Sequence, residues 1–252
     1  IREGLYIVNT PIGNLNDISL RAKYILKSVD FIICENPKHS LKLLNNLGIK
    51  KKLYSLHDYN EEKLIEKLEK HLDKSSIALI SDSGAPLISD PGYKLVQNFI
   101  HKNFFLTTIP GPSSIISAVQ LSGLPISTFV FLGFAPKKNN AIKQIAEKIK
   151  KIDTTSVLFI SGKHLENFLK IILDKLNNRK ITICKELTKK NENIFRGNIR
   201  ETLDKIKSDS INLKGEFTLI LEGEDNISGR KINSENKKEI KKILKKFSLT
   251  ET

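Results

Sequence analysis

Between Leu5 and Gly123, short apolar runs alternate with stretches in which apolar residues recur every three or four positions. Leu5–Val8, Phe31–Cys34, Lys52–Leu56, Ile77–Ile80 and Phe104–Ile109 have the length and composition of strands, the third being the weakest. Ile18, Ala22, Ile25 and Leu26 repeat at helical spacing, as do Leu64, Ile65 and Leu68 within Asn60–Leu72. Further helices are predicted over Ser40–Leu47, closed by Gly48, over Tyr93–His101 and over Ser113–Gly123, whose start follows Pro110-Gly111-Pro112. Alternation of this kind predicts an α/β protein with a mostly parallel sheet covered on both faces. In such sheets ligands collect at the carboxyl ends of the strands.

After Gly123-Leu124-Pro125 the pattern changes. Phe129–Phe134, Ser156–Ile160, Ile181–Glu186 and Phe217–Glu222 are strand candidates separated by lysine-rich helices. A boundary near Leu124 divides the chain into an amino-terminal α/β domain, 1–123, and a second α/β domain, 124–230, with a tail over 231–252. Asp225–Asn236 reads as a polar spacer, and Glu239–Phe247 as a short amphipathic helix carrying Ile240, Ile243, Leu244 and Phe247 on one face.

Three turns of the first domain, Thr10–Asn14, Ser81–Gly92 and Pro110–Ser114, fall at strand carboxyl ends and are rich in Gly, Pro and small hydroxyl residues. The second of these reads Ser-Asp-Ser-Gly-Ala-Pro-Leu-Ile-Ser-Asp-Pro-Gly. Glycine there allows the backbone close to a ligand, and serine and aspartate offer acceptors and donors to it. None of the turns is a dinucleotide-binding or P-loop motif, which removes the main support for nicotinamide or nucleoside-triphosphate readings.

Charge adds a partner class. With 42 Lys and Arg against 28 Asp and Glu, the formal net charge is +14, which favours an anionic partner such as nucleic acid. Lysine, asparagine and isoleucine abound throughout, so an adenine- and thymine-rich genome accounts for the excess equally well. Only Cys34 and Cys184 occur, both in apolar runs, so a disulfide framework is not expected and a reducing, cytoplasmic setting is. No apolar run approaches the ~18 residues of a membrane helix, and no leader-like series opens the chain. The chain opens without Met, so its first residues are expected to be missing. His39, His57, His71, His101 and His164 are scattered without ligand spacing, and no metal site is expected.

Thr-Pro-Ile-Gly-Asn-Leu at 10–15, the twelve-residue turn at 81–92, Ile-Pro-Gly-Pro-Ser-Ser at 109–114, Ser-Gly-Leu-Pro at 122–125, Phe-Leu-Gly-Phe at 131–134 and Lys-Glu-Leu-Thr-Lys at 185–189 occur in one order and spacing. In this the chain resembles the ribosomal RNA small subunit methyltransferase I group, cytidine 2′-O-ribose methylases of the tetrapyrrole methylase superfamily. The resemblance runs from about Leu5 to Glu222, with Ser83 standing where the group usually has alanine. It implies two α/β domains with S-adenosylmethionine bound in the cleft between them, a homodimer, and a substrate within small-subunit (16S) ribosomal RNA, with the folded subunit expected as the form acted on.

The group's cofactor contacts fall on Pro11, on Ser81, Asp82, Gly84 and Ala85, on Ser113 and Ser114, near Ile160, on Glu186 and Leu187, and on Glu216 and Phe217. A ribose hydroxyl is a poor nucleophile at neutral pH, so a base or a cation near the developing alkoxide is called for. By location the candidates are Glu35, Lys38 and Lys185, against a surface pair at a helix entrance and a solvated strand edge. Phosphate contacts are expected from Lys38, Lys42, Lys50, Lys51, Lys52, Lys137, Lys138, Lys163 and Lys185, with His57 as a further RNA-side candidate that serves equally as a capping loop residue. Tyr59 and Phe134 are the aromatics placed to stack on bases.

Two segments depart from the group. Glu35-Asn36-Pro37-Lys38 replaces Glu-Asp-Thr-Arg, and Ile160-Ser161-Gly162-Lys163-His164 replaces Glu-Ser-Pro-His-Arg. They leave open a non-catalytic RNA- or ligand-binding relative of the fold; a tetrapyrrole-type small-molecule methylase is the other alternative.

Overall fold

A computed structural model describes residues 1–224; the spacer and the helix expected over Glu239–Phe247 lie outside the described residues. Five strands form the first sheet: β1 Gly4–Val8, β2 Phe31–Cys34, β3 Lys52–Ser55, β4 Ser76–Ile80 and β5 Leu106–Ile109. Their order is β3-β2-β4-β1-β5, and every pairing is parallel. Helices cover both faces, which is why β2 and β4 are buried along their whole length and read as unbroken apolar runs. Ala22, Ile25 and Leu26 of α1 (Leu20–Ser28) join Leu43 and Leu44 of α2 (Pro37–Asn46) on one face. Leu64, Leu68 and Leu72 of α3 (Glu61–Leu72) pack with Leu95 and Phe99 of α4 (Tyr93–His101) on the other.

Apolar spacing alone predicts that α2 begins at Ser40; it begins at Pro37. The Asn36 side chain accepts from the Lys38 and His39 backbone N–H groups at 3.1 and 3.4 Å, and Pro37 takes the first helical position, where no N–H is needed. The departure at Asn36-Pro37 is therefore a helix start built from different residues.

The second sheet contains β6 Phe129–Phe134, β7 Thr155–Ser161, β8 Lys180–Lys185, β9 Asn193–Asn198 and β10 Glu216–Leu221 in the order β6-β7-β10-β8-β9. β6 runs parallel to β7, and the other three pairings are antiparallel. Strand β9 escapes the sequence reading because Asn-Ile-Phe-Arg-Gly-Asn has little apolar content; it is an edge strand, half-exposed. One face of this sheet packs around the fully buried Phe168 and Leu169 of α7 (Gly162–Leu176), flanked by α6 (Asn139–Lys150) and α8 (Ile199–Lys207). The opposite face receives α5 (Ser114–Ser122): Ile115, Ala118 and Val119 pack against Val157, Cys184 and Ile220. Thr182 Oγ1 donates to the Ser122 carbonyl at 2.7 Å across that contact. Helix α5 thus fixes the second sheet opposite the strand ends of the first.

Candidate functional site

The three turns at the carboxyl ends of β1, β4 and β5 are tied together by hydrogen bonds. Thr10 and Gly84 exchange backbone bonds of 2.8 and 3.1 Å, and buried Thr10 Oγ1 donates to the Ser81 carbonyl at 3.3 Å. Asn9 Nδ2 donates to the Pro112 carbonyl at 3.3 Å, joining the first turn to the third. Gly84 sits at φ +81°, and an added Cβ would come within 3.1 Å of Ile12 Cγ2, so the bridge between turns needs glycine there. The second lobe reaches the same place: the Asn14 N–H donates to Thr188 Oγ1 at 3.1 Å.

Between these turns and the facing ends of β7, β8 and β10 lies a cavity of about 380 Å³, within the usual ~300–1,000 Å³ of a small-ligand site. Asp82, Gly84, Ala85, Ser113 and Ser114 line it from the first lobe; Ile160, Glu186, Leu187, Glu216 and Phe217 line it from the second. Pro11 and Ser81 do not. Ser81 is buried behind the wall, its Oγ donating to the Ser83 and Gly84 carbonyls at 3.4 Å. Ile12, Asp90, Phe159 and Lys189 are among the lining residues that sequence reasoning missed. Ile12, Asp90 and Lys189 lie inside the motifs quoted above, so the signal was present but unassigned.

Four acidic side chains, Asp82, Asp90, Glu186 and Glu216, face this cavity with one lysine, Lys189, in a chain whose overall charge is +14. Lys189 Nζ reaches Glu186 Oε1 at 3.2 Å and Glu216 Oε2 at 2.8 Å. Burial pushes the Glu186 carboxyl up, but the Glu216 N–H and the Lys189 ammonium outweigh it and hold the group below its usual value. Asp82 Oδ1 is buried without a hydrogen-bond partner. Asp90 is pushed up to about 6, first by burial and then by the neighbouring Glu35 charge. Burial also drives the Cys184 thiol to about 11, so it is a protonated wall group rather than a nucleophile. Leu87, Ser89, Glu186 and Thr188 all have φ between 50° and 72°, so strained backbone flanks the cavity on both sides.

The catalytic candidates separate. Glu35 lines a narrow crevice that it shares with Ser81 and Asp90, directly behind the cavity wall. Lys38 is exposed in the first turn of α2 and does not line the cavity. Lys185 is 8% exposed, which rules out the solvated edge, and it is not among the residues lining the cavity. It pairs with Phe217 across β8 and β10, on the face opposite Cys184, its Nζ 5.9 Å from the Phe217 ring centroid.

Lys50, Lys51 and Lys52 stand apart from the cavity. They precede and open β3, at the amino ends of a parallel sheet, whereas the cavity lies at the carboxyl ends. Lys52 Nζ instead sits 5.0 Å over the Tyr54 ring. Lys42, Lys137, Lys138 and Lys163 are exposed on α2, on the segment after β6 and on the first turn of α7. His57 is exposed in the β3–α3 loop, its N–H bonded to Asn60 Oδ1 at 2.8 Å. Phe134 lines the cavity while remaining 66% exposed; Tyr59 is 95% exposed, 6.3 Å from the His57 ring. Among the described residues no group of three or more His, Cys, Asp or Glu is arranged to hold a metal ion, and no helix is long and apolar enough to cross a membrane.

Two α/β lobes enclosing an acid-lined cavity at strand carboxyl ends describe a methylase architecture, and the sequence comparisons agree. The profile of the family described as Tetrapyrrole (Corrin/Porphyrin) Methylases matches residues 4–203, and the chain belongs to that family. It is 39% identical over 92% of its length to the ribosomal RNA small subunit methyltransferase I of Halalkalibacterium halodurans, covering 78% of that protein. To the protein of the same name from Vibrio cholerae it is 41% identical over 87% of its length, covering 77% of that chain. Its fold matches uroporphyrin-III-C-methyltransferase from Thermus thermophilus with a TM-score of 0.60 at 15% identity, over 88% of this chain and 94% of that one.

Proposed function

We propose that this protein methylates the ribose 2′-hydroxyl of a cytidine in small-subunit ribosomal RNA, using S-adenosylmethionine held in the 380 Å³ cavity, with the folded subunit as substrate. The observation that carries the reading is electrostatic: an acid-lined cavity within a strongly basic chain suits a small cationic donor surrounded by a polyanionic substrate. Relatives named ribosomal RNA small subunit methyltransferase I at 39% and 41% identity favour it over the binding-only and tetrapyrrole-type alternatives.

The residues fit the donor. An unpartnered buried acceptor, Asp82 Oδ1, awaits a hydrogen-bond donor, and the donor's ammonium or hydroxyls supply one. Gly84 and Ala85 bring backbone to the ligand, and the short apolar wall of Ile12, Phe159 and Leu187 offers room for a flat ring. When bound, S-adenosylmethionine supplies a methyl group activated by its cationic sulfur. Exposed Lys38, Lys42, Lys137, Lys138 and Lys163 serve as phosphate contacts, and Phe134, which lines the cavity, as a stacking platform. In this reading residues 1–123 and 124–230 act as two domains, the protein is a homodimer, and it works in the cytoplasm, where subunits assemble.

Mapping ribose methylation in ribosomal RNA from cells with and without the gene tests the reaction; an unchanged pattern ends the proposal. Replacing Asp82 with Asn and Gly84 with Val, then titrating S-adenosylmethionine, tests the cavity. Undiminished affinity in both variants would show that the donor binds elsewhere.

A further inference from the structure

Of the four acids facing the cavity, Glu186 and Glu216 are occupied by Lys189, at 3.2 and 2.8 Å. Asp82 presents a buried unpartnered oxygen, suited to holding a ligand fixed. Asp90 differs from all three. It alone belongs both to the cavity and to the crevice behind it, where Glu35 and Ser81 stand. Glu35 lines the crevice but not the cavity, and Asp90 stands between the two. Across the cavity Cys184 stays protonated, and Lys185 is not among the residues that line it.

The geometry points to Asp90 as the proton acceptor for the attacking ribose hydroxyl, with Glu35 as the neighbouring carboxylate in the crevice they share. This rests on the methyltransferase reading above. As the oxygen–carbon bond forms and the carbon–sulfur bond breaks, the hydroxyl proton passes to the Asp90 carboxylate, and the donor leaves as a neutral thioether. Charge balances, because one carboxylate and one sulfonium are neutralised together.

Asp90 suits the task. Burial first, then the Glu35 and Asp82 charges, push its carboxyl up to about 6, with the nearby Ser81 hydroxyl opposing them. The value lies close enough to neutrality for a base that is ionised in the cell yet keeps appreciable proton affinity. Glu35 is itself pushed up, by burial first and then by Asp82 and Asp58, with His39 opposing. Two such carboxyls in one crevice bind a proton as a pair, and removing one changes the affinity of the other.

The test uses the full chain, S-adenosylmethionine, and small subunits purified from cells lacking the gene. Wild-type single-turnover rates should rise with unit slope up to about pH 6 and then level. D90N should cut the plateau rate by about 10²–10⁴-fold, flatten the rise and leave donor affinity within about twofold. E35Q should keep the plateau but move the midpoint to lower pH, and D90E should recover part of the rate. A separate readout needs no activity: the melting temperature of wild type relative to D90N should fall as pH rises from about 4 to about 6. The sign follows from a folded-state carboxyl that binds its proton more tightly than the unfolded one. If D90N does not fold, the E35Q midpoint and D90E rate carry the test. A D90N enzyme as fast as wild type, or one impaired only through weaker donor binding, overturns the assignment. A wild-type protein with no activity on these subunits overturns the methyltransferase reading instead, whatever the melting curves show.

Discussion

Gly162 opens α7 where the resembled group carries proline, and the structure assigns it a steric role. A Cβ added there would lie 1.7 Å from the Leu213 carbonyl oxygen and 2.7 Å from Phe217 Cε2. An ordinary carbon–oxygen contact is about 3.3 Å, so in Gly162→Ala the Leu213 backbone must retreat by about 1.6 Å. Overpacking of this kind costs about 1–3 kcal/mol, against a gain of at most ~1 kcal/mol from removing a glycine at a helix start. The net loss of about 1–2 kcal/mol corresponds to a fall of about 3–6 °C in melting temperature for a chain of this size. The retreat has a functional consequence, because the Leu213 segment leads into Glu216 and Phe217 of the cavity wall. Affinity for S-adenosylmethionine should therefore drop several-fold, measured by calorimetry on the folded variant. Gly48→Ala is the control: its φ is +65° with nothing within 4 Å, so it should cost ~1 kcal/mol of backbone strain and leave affinity alone. If Gly162→Ala melts and binds like wild type while Gly48→Ala shows its cost, the close approach is not structural.

Other expectations follow from the same geometry. Asn36→Ala should remove the α2 cap at a cost of about 1 kcal/mol, read as a lower melting temperature without loss of donor binding. Asp30 accepts from the Ser76 N–H at 2.7 Å and from its Oγ at 2.8 Å, which holds its carboxyl below the usual range. Asp30→Ala should consequently melt lower than wild type at pH 7, and the gap should close as pH falls below about 4. Lys38→Ala should weaken subunit binding and reduce its salt dependence, while a Lys51→Ala, Lys52→Ala double variant should not. Phe168→Ala, at a fully buried position, should cost about 3–5 kcal/mol in denaturant unfolding.

The first sheet was legible because runs such as Phe31–Cys34 and Ile77–Ile80 are buried on both faces and cannot be anything but apolar. Its turns were legible because their function demands Gly, Pro and small polar residues in dense array. Strand β9 was hidden: an edge strand tolerates Asn, Arg and Gly, which erase the alternation. The direction of a lysine cluster was hidden too, since Lys50–Lys52 carry no mark saying which end of a strand they occupy. Asp90 could be quoted within its motif but not valued, because its proton affinity comes first from burial and then from Glu35, distant in sequence and brought beside it only in the folded crevice.

Helix α5 closes the first lobe in sequence yet rests its apolar face on the second sheet. A chain severed in the exposed stretch between Gly123 and Phe129 would leave two fragments with complementary greasy surfaces and half a binding site each. Their reunion should restore donor capture, so the protein offers itself as a two-part sensor in which small-molecule binding reports that the pieces have met.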